Sequence, residues 1–256
     1  MPVYGTSTIR GTSFSNGFFW AINRSQDLTL LHDWFTRTGQ GYGSEYRYVA
    51  SSASNGEFRI YRLSERATTF TQNGQDITNP ARQSFEIRSN VVQGLPGGFR
   101  ARGNVDYFSD VTVQQQYQMD LYNATLRTRN YQGNVSGNLG RGNSLSATYG
   151  INEIFYGDTD SQTIGGRPRV QFTRALTKIG PTPLYFSAGG EYANIVRYNS
   201  SNGVKTYDQS LTRWDASPSL QFPLTKWPFM CAVAGLASIG TRFEPISSFR
   251  SAFTRP

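Results

Sequence analysis

One cysteine and one histidine are all that this 256-residue chain offers toward thiol, zinc or imidazole chemistry. Cys231 alone cannot close an internal disulfide, and it has no second thiol with which to build a zinc knuckle. Lysine is nearly as scarce: of 25 basic residues, only Lys178, Lys205 and Lys226 are not arginine. Long apolar runs are missing as well. A spanning helix needs about 18 consecutive apolar residues, and the longest candidate here, residues 229–237, is about half that. A helical membrane protein is therefore excluded. The first five residues have neither a basic stretch nor an apolar one, so no signal peptide is expected. Gly137, Gly140 and Gly142 have no Lys-Ser/Thr after them, which makes them turn glycines rather than a phosphate cradle.

Aromatic residues and alternation are what the chain does have. Phe, Tyr and Trp make up 14% of it while the apolar total is only 37%, so rings rather than aliphatic side chains carry much of the greasiness. The clearest pattern lies in residues 125–151. In its first arm Tyr131, Val135 and Leu139 share one parity, opposed by Asn130, Gln132, Asn134, Ser136 and Asn138. In its second arm Leu145, Ala147, Tyr149 and Ile151 oppose Ser144, Ser146 and Thr148. Successive side chains of a strand point to opposite faces, so this is a hairpin with one greasy wall and one uncharged, amide-rich wall.

The same reading predicts a weak strand over residues 4–16 and firm ones over 18–22, 27–37, 42–50, 56–63, 83–93 and 99–108. After the hairpin, strands are expected at 169–174, 184–192, 213–222 and 229–242. Residues 64–81, 109–123, 153–167 and 199–210 read as long loops. Short turns are expected at 23–26, 94–98, 140–143, 180–183 and 223–228. In the strand at 27–37, Leu31 and Phe35 fall on the otherwise polar side. From residue 63 onward the connections alternate long and short, which is the asymmetry of an outer-membrane barrel. The expected fold class is therefore all-β, an antiparallel transmembrane β-barrel or part of one.

A net charge of +8 and a pI near 9.7 raise the question of nucleic acid. Against it, arginines recur two residues from an acid on the same strand face: Glu45 with Arg47, Glu57 with Arg59, Glu86 with Arg88, and Arg213 with Asp215. Arg100, Arg102 and Asp106 extend the pattern. Such pairs cancel locally, which suits a polar cavity better than a phosphate track. No nucleic-acid partner is expected. His32 shares a face with Leu28, Leu30 and Trp34, so it reads as a wall residue rather than a catalytic base. Glu153, Asp158 and Asp160 have a spacing that could hold a divalent cation, yet three acids in a polar loop are more often simply solvated. No enzyme activity, cofactor or metal is expected.

Alternation then assigns residues to walls. Glu45, Arg47, Arg100, Arg102, Asn104, Asp106, Asn134 and Ser146 would line a lumen. Tyr107, Tyr131, Val135, Leu145, Tyr149 and Phe186 would face lipid.

Three blocks carry a resemblance: GFFWAINRSQDLTLLHDWFTRTGQGYGSEYRYV (residues 17–49), GNVDYFSD (103–110) and TPLYFSAGGEY (182–192). In order and spacing they resemble the barrel of the LptD family, the lipopolysaccharide-assembly or organic-solvent-tolerance proteins. The resemblance implies a barrel of about 26 strands in the bacterial outer membrane, of which residues 1–256 would be a partial domain covering roughly the N-terminal half. A signal peptide and a periplasmic jelly-roll domain would precede it and are not expected within this sequence. The implied function is assembly of lipopolysaccharide into the outer leaflet. The implied partners are lipopolysaccharide, membrane lipid, an outer-membrane lipoprotein plug (LptE-like) and a periplasmic bridge protein (LptA-like). The family's first barrel strands are weakened by proline and form a lateral gate. Here the corresponding stretch, with Thr6, Thr8, Arg10 and Gly11 as candidates, has glycines in place of proline; these also weaken pairing. The alternative from another class is a general diffusion porin, which would share the two walls and need no lateral seam.

Overall fold

A computed structural model describes residues 2–8, 10–72, 74–111, 126–157, 159–227, 230–237 and 240–245. The chain divides into two units, residues 1–93 with 102–131 and residues 94–101 with 132–256. Both are built almost wholly from antiparallel strands, as the alternation predicts. No helix among the described residues is long and apolar enough to cross a membrane.

In the first unit, β1 (Val3–Ser7), β2 (Gly11–Asn23), β3 (Gln26–Phe35), β4 (Gly39–Ser51), β5 (Ser54–Glu65), β8 (Arg82–Gly94) and β9 (Arg100–Phe108) pair in that order. Between β5 and β8 the chain forms a separate hairpin, β6 (Thr68–Gln72) with β7 (Gln75–Asn79). Register ties the side chains into rows. Trp20, Leu28, Tyr46 and Phe58 lie abreast on one face. Asp27, Arg47 and Glu57 lie abreast on the other, as do Thr29, Glu45, Arg59 and Arg88.

The second unit holds β10 (Thr128–Gly140, from Gln132 onward), β11 (Asn143–Phe155), β12 (Ser161–Lys178), β13 (Tyr185–Ser201), β15 (Leu211–Trp227) and β16 (Met230–Ala237). From β11 on these pair in sequence, while β14 (Val204–Asp208) folds back on β13 and β17 (Gly240–Pro245) pairs with β15. The turn at 140–142 has positive φ at Gly140, Arg141 and Gly142, and the Asn143 amide donates to the Gly140 carbonyl at 3.1 Å, closing it.

Several expected loops are strand instead. Residues 64–81 contain β6 and β7, residues 153–167 are mostly the facing ends of β11 and β12, and residues 199–210 carry the end of β13 and all of β14. The weak strand expected over 4–16 is two paired strands, β1 and the start of β2. Strand β15 runs through Pro223 to Trp227, where a turn was expected. The physical reason is shared. Polar Thr, Gln and Asn side chains look like loop to a hydrophobicity pattern, yet a hairpin beyond the buried part of a sheet is held by its ladder and needs no apolar face. Of the expected connection 109–123, residues 112–123 lie outside those described.

Candidate functional site: a charged wall and an apolar wall

The distribution of exposure is the reverse of that in an ordinary soluble domain. Phe18 is 64% exposed, Trp20 53%, Trp34 46% and Trp214 53%, whereas Glu86 and Glu65 are 9% exposed and Ser84 3%. The exposed and half-buried rings of this face form ordered rows. In the first unit His32 stacks on Tyr42 at 4.8 Å, Tyr48 stacks on Phe58, and Phe85, Tyr107 and Tyr131 follow one another at 5.6 and 6.4 Å. In the second, Tyr192 leans on Trp214 at 4.4 Å and Leu145 lies abreast of Phe172. On β2 this face runs from Phe14 to Ile22. At about 3.4 Å per residue and a tilt of about 40° that span covers roughly 21 Å, close to the about 25 Å band of an outer-membrane barrel.

Of the residues assigned to lipid, Tyr107 and Tyr131 meet edge to face in this row of the first unit. Val135 and Tyr149 are exposed on theirs at 40% and 44%. Leu145 pairs with Phe172, and Phe186 lies under the Arg174 guanidinium at 5.4 Å. His32 sits within the apolar wall, its Nε2 3.3 Å from Gln40 Oε1, which also accepts the Tyr42 hydroxyl at 2.6 Å.

The opposite face is polar and extensively cross-linked. Arg47 Nε meets Asp27 at 2.9 Å and Glu45 at 3.7 Å. Arg88 Nε meets Glu86 at 2.6 Å and Asp106 at 3.4 Å. Arg82 bridges Glu65 and Asp110. In the second unit Glu191 accepts from Arg169 at 2.7 Å and Arg213 at 2.6 Å, and Arg213 also holds Asp215 at 2.6 Å. Same-strand pairing is thus realised for Glu45–Arg47, Glu86–Arg88 and Arg213–Asp215. Asp106 pairs across strands with Arg88, while Arg100 and Arg102 share its parity on β9 and stand exposed. Asn104 lines a recess of about 230 Å³ with Glu57, Arg88, Asn90 and Asp106. Asn134 donates to Ser146 at 3.1 Å and Thr148 at 2.8 Å. Ser146 opens onto a groove of about 400 Å³ with Ser136, Asn138, Ser144, Gln171 and Thr173.

What the sequence reading missed is the partnership across strands: Asp27, Glu65, Arg82, Arg169 and Glu191 are as central as the same-strand pairs. Missed too is a floor of glycines. Gly41 and Gly43 face the polar wall, and the Tyr61 ring lies across them. A Cβ at Gly41 would fall on the Tyr61 phenol, and one at Gly43 would stand 2.9 Å from Tyr61 Cδ2. The Tyr61 hydroxyl donates to Asp33 Oδ2 at 2.6 Å. Leu31 and Phe35, which break the alternation of β3, belong to this wall; Phe35 (5%), Leu63 (1%), Phe108 (2%) and Val111 (1%) are sealed from solvent.

The remaining candidates separate. Glu153 accepts from Ser161 at 2.8 Å and Asp160 from Ser201 at 2.7 Å, while Asp158 lies outside the described residues. No group of metal-ligating side chains occurs among the described residues. Thr6 is in β1, Thr8 and Arg10 are in the turn after it, and Gly11 opens β2. Arg37 Nη1 donates to the Thr8 carbonyl at 2.7 Å across this turn. At the end of β14, Asp208 is held below the usual carboxylate range, above all by hydrogen bonding from Ser210 and further by Lys205.

Antiparallel strands with one exposed aromatic wall and one charged wall define the class of the β-barrel wall. Protein-family models give no match to the chain. Among curated proteins it is similar to the LPS-assembly protein LptD of Cupriavidus necator, 27% identical over 137 residues, which is 54% of this chain and 15% of that protein. It is also similar to the LPS-assembly protein LptD of Shewanella frigidimarina and of Shewanella oneidensis, each 34% identical over 62 residues, 24% of this chain and 8% of theirs. The matched stretches therefore span no more than 15% of the length of these relatives.

Proposed function

We propose that the chain forms part of the wall of a non-enzymatic outer-membrane barrel that assembles lipopolysaccharide into the outer leaflet. The observation that carries this reading is the pairing of an exposed aromatic wall with a cross-linked charged wall in a chain similar to LPS-assembly proteins. Lipid is the solvent for which the first wall is suited, since an apolar surface this extensive would drive association in water. The second wall offers hydrogen bonds and balanced charge to a sugar and phosphate head. With no nucleotide-binding motif in the sequence, the energy for transport would come through partners, a lipoprotein plug within the barrel and a periplasmic bridge. The short strand β1, with the Thr6 to Gly11 stretch beside it, is the candidate for the seam through which acyl chains leave.

Depletion of the protein in its own cells tests the reading. Newly made lipopolysaccharide should fail to reach the cell surface while uptake of small hydrophilic solutes stays unchanged. Loss of solute uptake with normal surface lipopolysaccharide would overturn it in favour of a diffusion porin.

A further inference from the structure

We propose that the outer ends of β11 to β14 form a binding surface for a neutral hexose oligosaccharide. Register places Ile154, Gln162, Asn199 and Tyr207 abreast across four strands. Neighbouring strands lie about 4.8 Å apart, so this row is roughly 14 Å long, the scale of a short oligosaccharide. Tyr156, just past the end of β11, adds a second ring to the row; it is 65% exposed and Tyr207 57%. Between them the amides are already oriented: the Tyr156 hydroxyl donates to Gln162 Oε1 at 3.3 Å, and Gln162 Nε2 donates to Asn199 Oδ1 at 3.2 Å. At the far end Gln209 Nε2 donates to the Tyr207 hydroxyl at 2.7 Å.

This chemistry matches a neutral sugar better than other ligands. A hexose presents closely spaced hydroxyls, each both donor and acceptor, and a carboxamide answers with one acceptor and two donors in a fixed plane. Tyrosine adds a flat, rigid ring at little cost in side-chain entropy, on which the C–H face of a pyranose can lie. The row itself is uncharged. Arg197 and Asp160 stand only at its margins, Asp160 being engaged by Ser201. The hairpin's own charges are turned away: Lys205 Nζ lies 4.2 Å over the Tyr198 ring, on the opposite face from Asn199, and pairs with Asp208 at 3.6 Å. A phosphorylated ligand would find one cation, Arg197, beside the row on the face of β13 that carries Asn199, and none within it. A protein partner would want an apolar centre, whereas the centre here is Gln162 and Asn199. The surface lies within one unit and does not depend on the lipopolysaccharide reading.

The test uses protein solubilised from membranes in a detergent without a sugar head, and saturation-transfer NMR with a panel of neutral hexose oligosaccharides. At least one should bind with a dissociation constant of about 1 mM. Tyr207→Ala and Gln162→Ala should each weaken it about tenfold, and Lys205→Ala should leave it unchanged. Near-UV circular dichroism verifies the fold of each variant. Asn199→Asp, which keeps the side-chain size and puts a charge in the row, should weaken binding even if Tyr207→Ala disturbs the hairpin. Absence of binding by folded protein, equal binding in all variants, binding of anionic sugars alone, or loss in Lys205→Ala would each overturn the proposal.

Discussion

Tyr61 shows how much one side chain can depend on what its neighbours lack. Its ring occupies the space that Cβ atoms at Gly41 and Gly43 would fill, and its hydroxyl reaches Asp33. Gly41→Ala should therefore displace the ring and break that bond, at a cost of about 1–3 kcal/mol typical of overpacking. Tyr61→Phe leaves the ring in place and removes only the donor to Asp33, so the loss should be nearer about 1 kcal/mol. The temperature at which folded protein converts to its unfolded electrophoretic form measures both, and Tyr61→Phe melting below Gly41→Ala would contradict this arrangement. None of it was legible in the sequence. Gly39-Gln40-Gly41-Tyr42-Gly43 alternates visibly, but which ring lies on the glycines depends on the register between β4 and β5.

At the scale of the strand, β12 offers the cleanest comparison of the two walls. Gln171 lies abreast of Ser146 and Glu191 on the polar face, and Phe172 lies abreast of Leu145 and Gly190 on the other, 37% exposed. Phe172→Arg should cost about 2–4 kcal/mol if that face meets the bilayer midplane, visible as less assembled protein in membranes. Gln171→Arg, placed beside Glu191, should assemble near normally, and equal tolerance of both would sink the membrane assignment. Alternation was enough to read these faces, because period two survives without knowing which strand pairs with which. The hairpins were not read, although both carry a signal: Asn73-Gly74 and Asn202-Gly203 are the dipeptides of tight hairpin turns. Asn202 and Gly203 do have positive φ, 50° and 77°. Their polar strands hid them. The ion pairs divide the same way, since Glu86–Arg88 is visible two residues apart while Arg169–Glu191 requires a register that no single strand contains.

At the scale of the whole molecule, the unequal lengths of the connections at the two sets of strand ends bear on orientation in a membrane. Among the described residues, the longest extensions at one set of strand ends are the β6–β7 hairpin in the first unit and β14 with the end of β13 in the second. The opposite strand ends close in brief turns at 24–25, 52–53 and 141–142. If the long ends face outward, as in outer-membrane barrels, single cysteines at Asp76 and Asn202 in a Cys231→Ser background should react with a membrane-impermeant reagent on intact cells. Those at Arg141 and Pro181 should react only after the envelope is opened. Uniform labelling at all four sites would remove the topology.

The order of pairing has a bearing on how such a chain comes into being. Within each unit the main strands meet partners that neighbour them in the sequence, with β6–β7 and β14 as side branches and β17 returning to β15. Pairings between such neighbours close short loops, so the entropic toll of long-range encounter is avoided at most steps. A strand can be laid down as soon as the one before it is in place, and the growing sheet needs no knowledge of what will be made later. The cost is that every intermediate ends in an unpaired ladder of amides and carbonyls. Such a chain can be built progressively from an existing edge, and it is vulnerable for as long as its newest edge has nothing to lean on.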